Sequence, residues 1–155
     1  MISIPVRSAP TRPAPTGVAP VLLATSHGTS DPAGQRAVIA LVDAVAAAAG
    51  HLTVVGGYVD VQSPDVPTCL SAIAAQPVGA SAAADSAARP VVIVPLLLSA
   101  GYHVRVDLAE AAAEASQPVR VTGALGPDLR LARILADRLH EIGRASCRER
   151  VSLSV

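Results

Sequence analysis

Two histidines, His27 and His103, sit where side chains could do chemistry. Each follows an apolar run and lies in a turn-rich segment with a glycine: Ser26-His27-Gly28-Thr29-Ser30-Asp31 and Ser99-Ala100-Gly101-Tyr102-His103. A third apolar run ends in Asp60. Two imidazoles and a carboxylate on separate loops can do two things. They can bind a divalent transition metal, because imidazole suits iron, cobalt, nickel and zinc. They can also take up protons near neutrality, because an ordinary histidine titrates at about pH 6.5. Four ligands closed around an ion mark a structural site, whereas two or three with room to spare favour transient or catalytic binding. The other two of the four histidines are His51, between a predicted helix and strand, and His140, at a helix end beside Glu141. Both read as surface or capping residues.

The elements that must position these groups alternate. Residues 20–25 predict a first strand. A helix over residues 33–49 follows, capped by Asp31 or Ser30 with Pro32 in its first turn, and apolar at Val38, Leu41, Val42 and Val45. Residues 52–59 form a second strand, and Ser63 is expected to cap a helix that begins at Pro64 and ends near Ala75. Residues 77–89, rich in Ala, Ser, Gly and Asp, read as a mobile loop. The run from Val91 to Leu98 reads as a strand buried on both faces of a parallel sheet. Ser99, Ala100 and Gly101 break it, and Gly101 is expected to take a backbone angle that other residues avoid. A helix over about 105–116, a strand over 119–124 and a helix over 127–140 complete the series. In the last helix Leu131, Ile134, Leu135 and Leu139 line one face.

Strands alternating with helices imply an α/β fold: a four-stranded parallel sheet flanked by helices, joined by right-handed crossovers. In the common doubly wound order the second strand lies outside the first, with the third on the first strand's other side. The loops carrying His27 and His103 then face each other at the switch point, with Asp60 at the same edge.

Composition narrows the function classes. Of 155 residues 51% are apolar, yet there is no Phe or Trp and only two Tyr, so the core must be aliphatic. The twelve basic residues are all arginine and the formal charge is zero, with no basic stripe, so nucleic-acid binding has no support in the sequence. Cys69 and Cys147 form no CxxC and no disulfide framework, which fits a reduced, cytoplasmic setting. No apolar run reaches the roughly 18 residues of a membrane span. Residues 1–18 carry several prolines and read as a disordered leader, leaving residues 19–140 as one domain. Residues 141–155 lack apolar period and look like a translated adapter joined to a truncated gene, so they carry no weight in the fold. Nucleotide-binding fingerprints are absent, since no GxGxxG follows a strand and there is no GxxxxGK[ST]. Ser26 and Ser99 lie outside any GxSxG. No Arg immediately precedes His27, as a histidine phosphatase would require.

Two stretches, Leu22-Leu-Ala-Thr-Ser-His27-Gly-Thr29 and Pro95-Leu-Leu-Leu-Ser-Ala-Gly-Tyr-His103-Val-Arg-Val-Asp107, closely resemble the sirohydrochlorin chelatase family. These are the small class II cobalto- and ferrochelatases of cobalamin and sirohaem synthesis. The resemblance spans about residues 21–140. It implies half of a bilobal chelatase fold and ATP-independent insertion of Co2+ or Fe2+ into sirohydrochlorin. The metal is then a substrate, with no permanently bound cofactor. His27 and His103 map onto the family's metal-binding histidines and carry the catalysis. Asp60 maps onto an acidic residue that is commonly Glu in the family, and is one methylene shorter. Sirohydrochlorin carries many carboxylates, which Arg105, Arg36 and the helix amino termini after Asp31 and Ser63 would meet. Ser99, Gly101 and Tyr102 would line the same crevice. The resemblance also implies a homodimer, or a chain whose second chelatase domain is missing. Two other readings stand beside it: a non-catalytic module that binds metal or tetrapyrrole, and an inactive amino-terminal fragment of a two-domain chelatase.

Overall fold

Short runs of Val, Leu and Ile form the strands, and alanine-rich segments between them form the helices. The computed structural model describes residues 18–76, 88–102 and 106–152, with side-chain surroundings as far as residue 142. The expectations for the leader up to residue 17, for the loop over 77–87, and for His103 and Arg105 fall outside those residues. The described elements are β1 (Val21–Ser26), α1 (Pro32–Ala49), β2 (Thr53–Tyr58), α2 (Val66–Ala74), β3 (Val91–Pro95), α3 (Asp107–Glu114), β4 (Val119–Val121) and α4 (Leu129–Ser152). The four strands form one parallel sheet in the order β2-β1-β3-β4, the doubly wound arrangement expected. Val21 lies opposite Thr53 on β2 and Val91 on β3.

Register assigns each strand residue to a face. A Cβ on Gly57 would meet Cys69 of α2 and Leu23, whereas one on Gly56 would meet Val42 of α1. Leu23, Thr25, Val91 and Ile93 therefore share the α2 face, because side chains alternate along a strand. There they pack with Val66, Cys69, Leu70 and Ile73 of α2 and Leu108 and Ala111 of α3. Leu23, Ile93, Ile73 and Leu108 are fully enclosed. Burying a side chain of this kind contributes about 1.5–3 kcal/mol. Gln117 is buried too, and its amide is satisfied by donating to the Leu70 carbonyl at 2.8 Å.

The other helices bury far less. α1 has no buried residue, and Ile39 and Leu41 are about half exposed. α4 continues past its expected end at residue 140, and Ile134, Leu135 and Leu139 of its expected apolar face, with Leu129 and Ile142, remain 55–77% exposed. Accordingly β3 is buried at Val91, Ile93 and Pro95 but only half-buried at Val92 and Val94, and is not enclosed on both faces as expected. α1 has the length and apolar composition of a membrane span. Its ends, however, connect two adjacent parallel strands of one sheet, so crossing a bilayer would pull it off that sheet.

Candidate functional site at the carboxyl edge of the sheet

The carboxyl ends of β1, β2 and β3 lie side by side, and their exit loops are bonded to one another. Val59 N–H donates to the Ser26 carbonyl at 2.9 Å, and Asp60 N–H to the His27 carbonyl at 3.1 Å. The β1–β2 ladder thus continues past both strands and sets Asp60 beside the His27 loop. On the other side Leu96 N–H donates to the Thr25 carbonyl at 2.7 Å. Beyond it, Leu125 N–H reaches the Leu97 carbonyl at 2.9 Å, tying the β3 exit loop to that of β4.

The His27 loop is folded tightly against the Asp60 loop. Gly28 has φ +92°, and a Cβ there would sit 2.5 Å from the Asp60 carbonyl oxygen. Only glycine meets both conditions. Val61, next to Asp60, has φ +59° although it is β-branched. Holding such a residue in the left-handed region costs on the order of 1–3 kcal/mol, which surrounding contacts must offset. Those contacts are visible. Gln62 N–H closes back on the Asp60 carbonyl. The Gln62 side-chain oxygen accepts the Thr29 N–H at 2.8 Å, and Gln35 donates to the Thr29 carbonyl at 2.9 Å.

His27 is exposed at this edge, and so is Asp60. One Asp60 oxygen accepts the Val61 N–H at 2.7 Å. Ser26 is buried, and its hydroxyl has no hydrogen-bond partner among the described residues. Arg36 lies exposed in the second turn of α1, and Ser99, Gly101 and Tyr102 are exposed after β3. Val106 N–H donates to the Tyr102 carbonyl at 2.8 Å, so the chain on both sides of residues 103–105 is set. The structure therefore brings Asp60 to the His27 loop. Among the described residues, no group of three His, Cys, Asp or Glu could hold a metal ion.

Two expectations are corrected here. Gly101 does not take the left-handed backbone, and a Cβ there would meet open space; the glycine this edge requires beside Asp60 is Gly28. Ser63 does not cap α2, which begins at Val66, two residues after the expected start at Pro64. Asp65 caps it, accepting from Thr68 N–H at 2.9 Å, with Pro67 in the first turn. Hydrogen bonding from the Thr68 side chain first, and then from its N–H, lowers the Asp65 pKa. Of the two candidates, Asp31 and not Ser30 caps α1, accepting from Ala33 and Gly34 N–H at 3.1 and 3.0 Å. Both helix amino termini are therefore already occupied by carboxylates, and a substrate carboxylate would meet like charge there. Gln62, Gln35 and Val61 were not singled out by the sequence. A lone glutamine two residues beyond Asp60 carries no motif, and its bond to Thr29 spans 33 residues.

Two hollows lie between α2 and α3. One, of about 340 Å3, is lined by Leu70, Ser71, Glu114 and Gln117. The second, of about 270 Å3, is bordered by Val59, Asp65, Asp107, Glu110 and Glu114. Its acidic rim would repel an acid-rich ligand. Cys69 lies in the wall of the core, where burial first, and then the Asp65 charge, push its thiol pKa up. It packs there as a small apolar residue.

Comparison with known proteins agrees with this architecture. The model of the CbiX family matches residues 21–142. Among solved structures, a cobalamin (vitamin B12) biosynthesis CbiX protein from Marinobacter aquaeolei VT8 is 22% identical, with a TM-score of 0.58. The match covers 81% of this chain and 96% of that one. The sirohydrochlorin chelatase SirB from Bacillus subtilis subspecies spizizenii, in complex with cobalt, is 20% identical with a TM-score of 0.65. SirB from Bacillus subtilis with Fe3+ is 21% identical with a TM-score of 0.64. Those matches cover 81% of this chain but 51% and 48% of the SirB chains, so it spans about half their length. No curated protein matches.

Proposed function

We propose that this chain, which belongs to the CbiX family by its match over residues 21–142, is a sirohydrochlorin chelatase lobe. The reading is that it inserts Co2+ or Fe2+ into sirohydrochlorin in the cytoplasm, without ATP. The observation that carries it is the His27 loop, bonded to the Asp60 loop at the carboxyl edge of a CbiX-type sheet. Open α/β folds bind their ligands at that edge.

Insertion requires a partly desolvated cation and the loss of two pyrrole N–H protons. In this reading His27 and His103 hold the incoming metal, and one of them takes up a proton. Asp60 assists with the carboxylate oxygen that Val61 does not engage. Arg36 and Arg105 meet the substrate carboxylates, and Ser99, Gly101 and Tyr102 border the macrocycle. The acidic rim between α2 and α3 is the wrong sign for an acid-rich substrate, which favours approach over the His27 loop instead. The apolar stripe of α4 supports pairing with a second lobe. We commit to a second copy of this chain, since the match covers 96% of the Marinobacter CbiX chain.

The decisive assay mixes purified, folded protein with sirohydrochlorin and Co2+ and follows the visible spectrum. Metal insertion above the uncatalysed rate is expected, and its absence overturns the proposal. His27→Ala is expected to lower that rate about 100-fold or more. His51→Ala, altered at an exposed site between α1 and β2, should leave it unchanged. Equal losses would remove the site assignment.

A further inference from the structure

The His27 and Asp60 loops are joined by more than the backbone bond between those two residues. Thr29 lies two residues beyond His27, and both of its main-chain polar groups are held by glutamine side chains. Its N–H donates to Gln62 Oε1 at 2.8 Å, and its carbonyl accepts from Gln35 Nε2 at 2.9 Å. Gln62 is half-buried between exposed neighbours, Val61 and Ser63. The backbone turn at Val61 carries Gln62 back toward the His27 loop, with Gln62 N–H on the Asp60 carbonyl. Gly28 fills the contact between the loops with no side chain to spare. The backbone bond between Asp60 and His27 closes one side of this arrangement, and the Gln62–Thr29 bond closes the other.

We propose that Gln62 is a positioning residue that clamps the His27 loop to the Asp60 loop and so sets the imidazole and carboxylate for one divalent cation. This rests on the chelatase reading, and it goes further by assigning the order of the site to an amide oxygen. Removing that acceptor leaves the Thr29 N–H without its partner and lets the His27 loop move relative to Asp60. Groups that orient metal ligands in this way typically change affinity about 10–100-fold when removed.

The test uses the full chain and Co2+ alone. Gln62→Met keeps the length and shape but lacks the acceptor, whereas Gln62→Glu keeps an acceptor oxygen. Co2+ affinity is measured by calorimetry, and hydrogen exchange of the Thr29 amide by NMR. Gln62→Met is expected to weaken Co2+ binding about 10–100-fold and to speed Thr29 exchange, with the remaining amides and the melting temperature little changed. Gln62→Glu is expected to keep slow Thr29 exchange and Co2+ binding at least as tight as the wild type. Undiminished Co2+ binding by Gln62→Met, a loss in Gln62→Glu as large as in Gln62→Met, or no Co2+ binding by the wild type would each overturn the proposal. If Co2+ binding follows the expected pattern while no form inserts metal, the clamp stands and the chelatase reading falls.

Discussion

The helix pair α2 and α3 and the helix pair α1 and α4 all carry apolar side chains, and end in opposite states. Val66, Cys69, Leu70 and Ile73 of α2, with Leu108 of α3, are buried against β1 and β3. No residue of α1 is fully buried, though Val38, Val42 and Val45 are half-buried, and most of the apolar stripe of α4 is exposed. An amphipathic stripe measures the wish to be covered and not the cover itself. Among the described residues, one face of the sheet is closed by packed helices and the other carries apolar side chains that stay exposed. Exposed apolar stripes of this kind mark a surface used for association.

The contrast can be broken or sharpened by substitution, and the largest effect should come from the finished side. Leu23→Ala is expected to destabilise by about 2–5 kcal/mol in urea unfolding, as full burial dictates. Leu135→Ala, at a residue 59% exposed, should cost within about 0.5 kcal/mol in the monomer. Comparable losses would mean that α4 is covered in solution, which favours the paired state. Light scattering on Leu135→Arg tests this directly: the wild type should run as a dimer and the variant as a monomer. A monomeric wild type would end the pairing proposal.

Gly28→Ala probes the edge where β1 and β2 release their loops. The added methyl has no room beside the Asp60 carbonyl, and φ +92° is strained for alanine. A destabilisation of about 1–3 kcal/mol is expected, with a clear loss of Co2+ affinity. The smallest effect is electrostatic. The Asp128 carboxyl, at the start of α4, is held down to about 2 by its hydrogen bonds from Arg130. Because the folded value lies below the ordinary 3.8, the unfolded chain binds more protons between about pH 4 and 2. The contribution is therefore present above about pH 4 and fades as pH falls through about 2. The pair is exposed, so Asp128→Asn should shift the acid unfolding midpoint only slightly.

Much of this was legible in the chain itself. The alternation of aliphatic runs with alanine-rich helices specified a parallel α/β sheet, because both signals are local, and the common doubly wound order supplied the places of its first three strands. Asp31 before Pro32 specified the start of α1. His27 and Asp60 could be assigned to one edge because each follows the end of a strand, and topology brings those ends together. Other features depend on residues far apart in sequence. Whether Ser63 or Asp65 caps α2 turns on the path of the loop, which folds back on β1. That Gly28 and not Gly101 is irreplaceable follows from the Asp60 carbonyl it touches, 32 positions away. Gln62 gained a role only when the fold carried it to Thr29. Periodicity revealed which face of α4 is apolar, but only the packed structure decides whether that face is buried. Its partner atoms lie elsewhere, and no local pattern can report them.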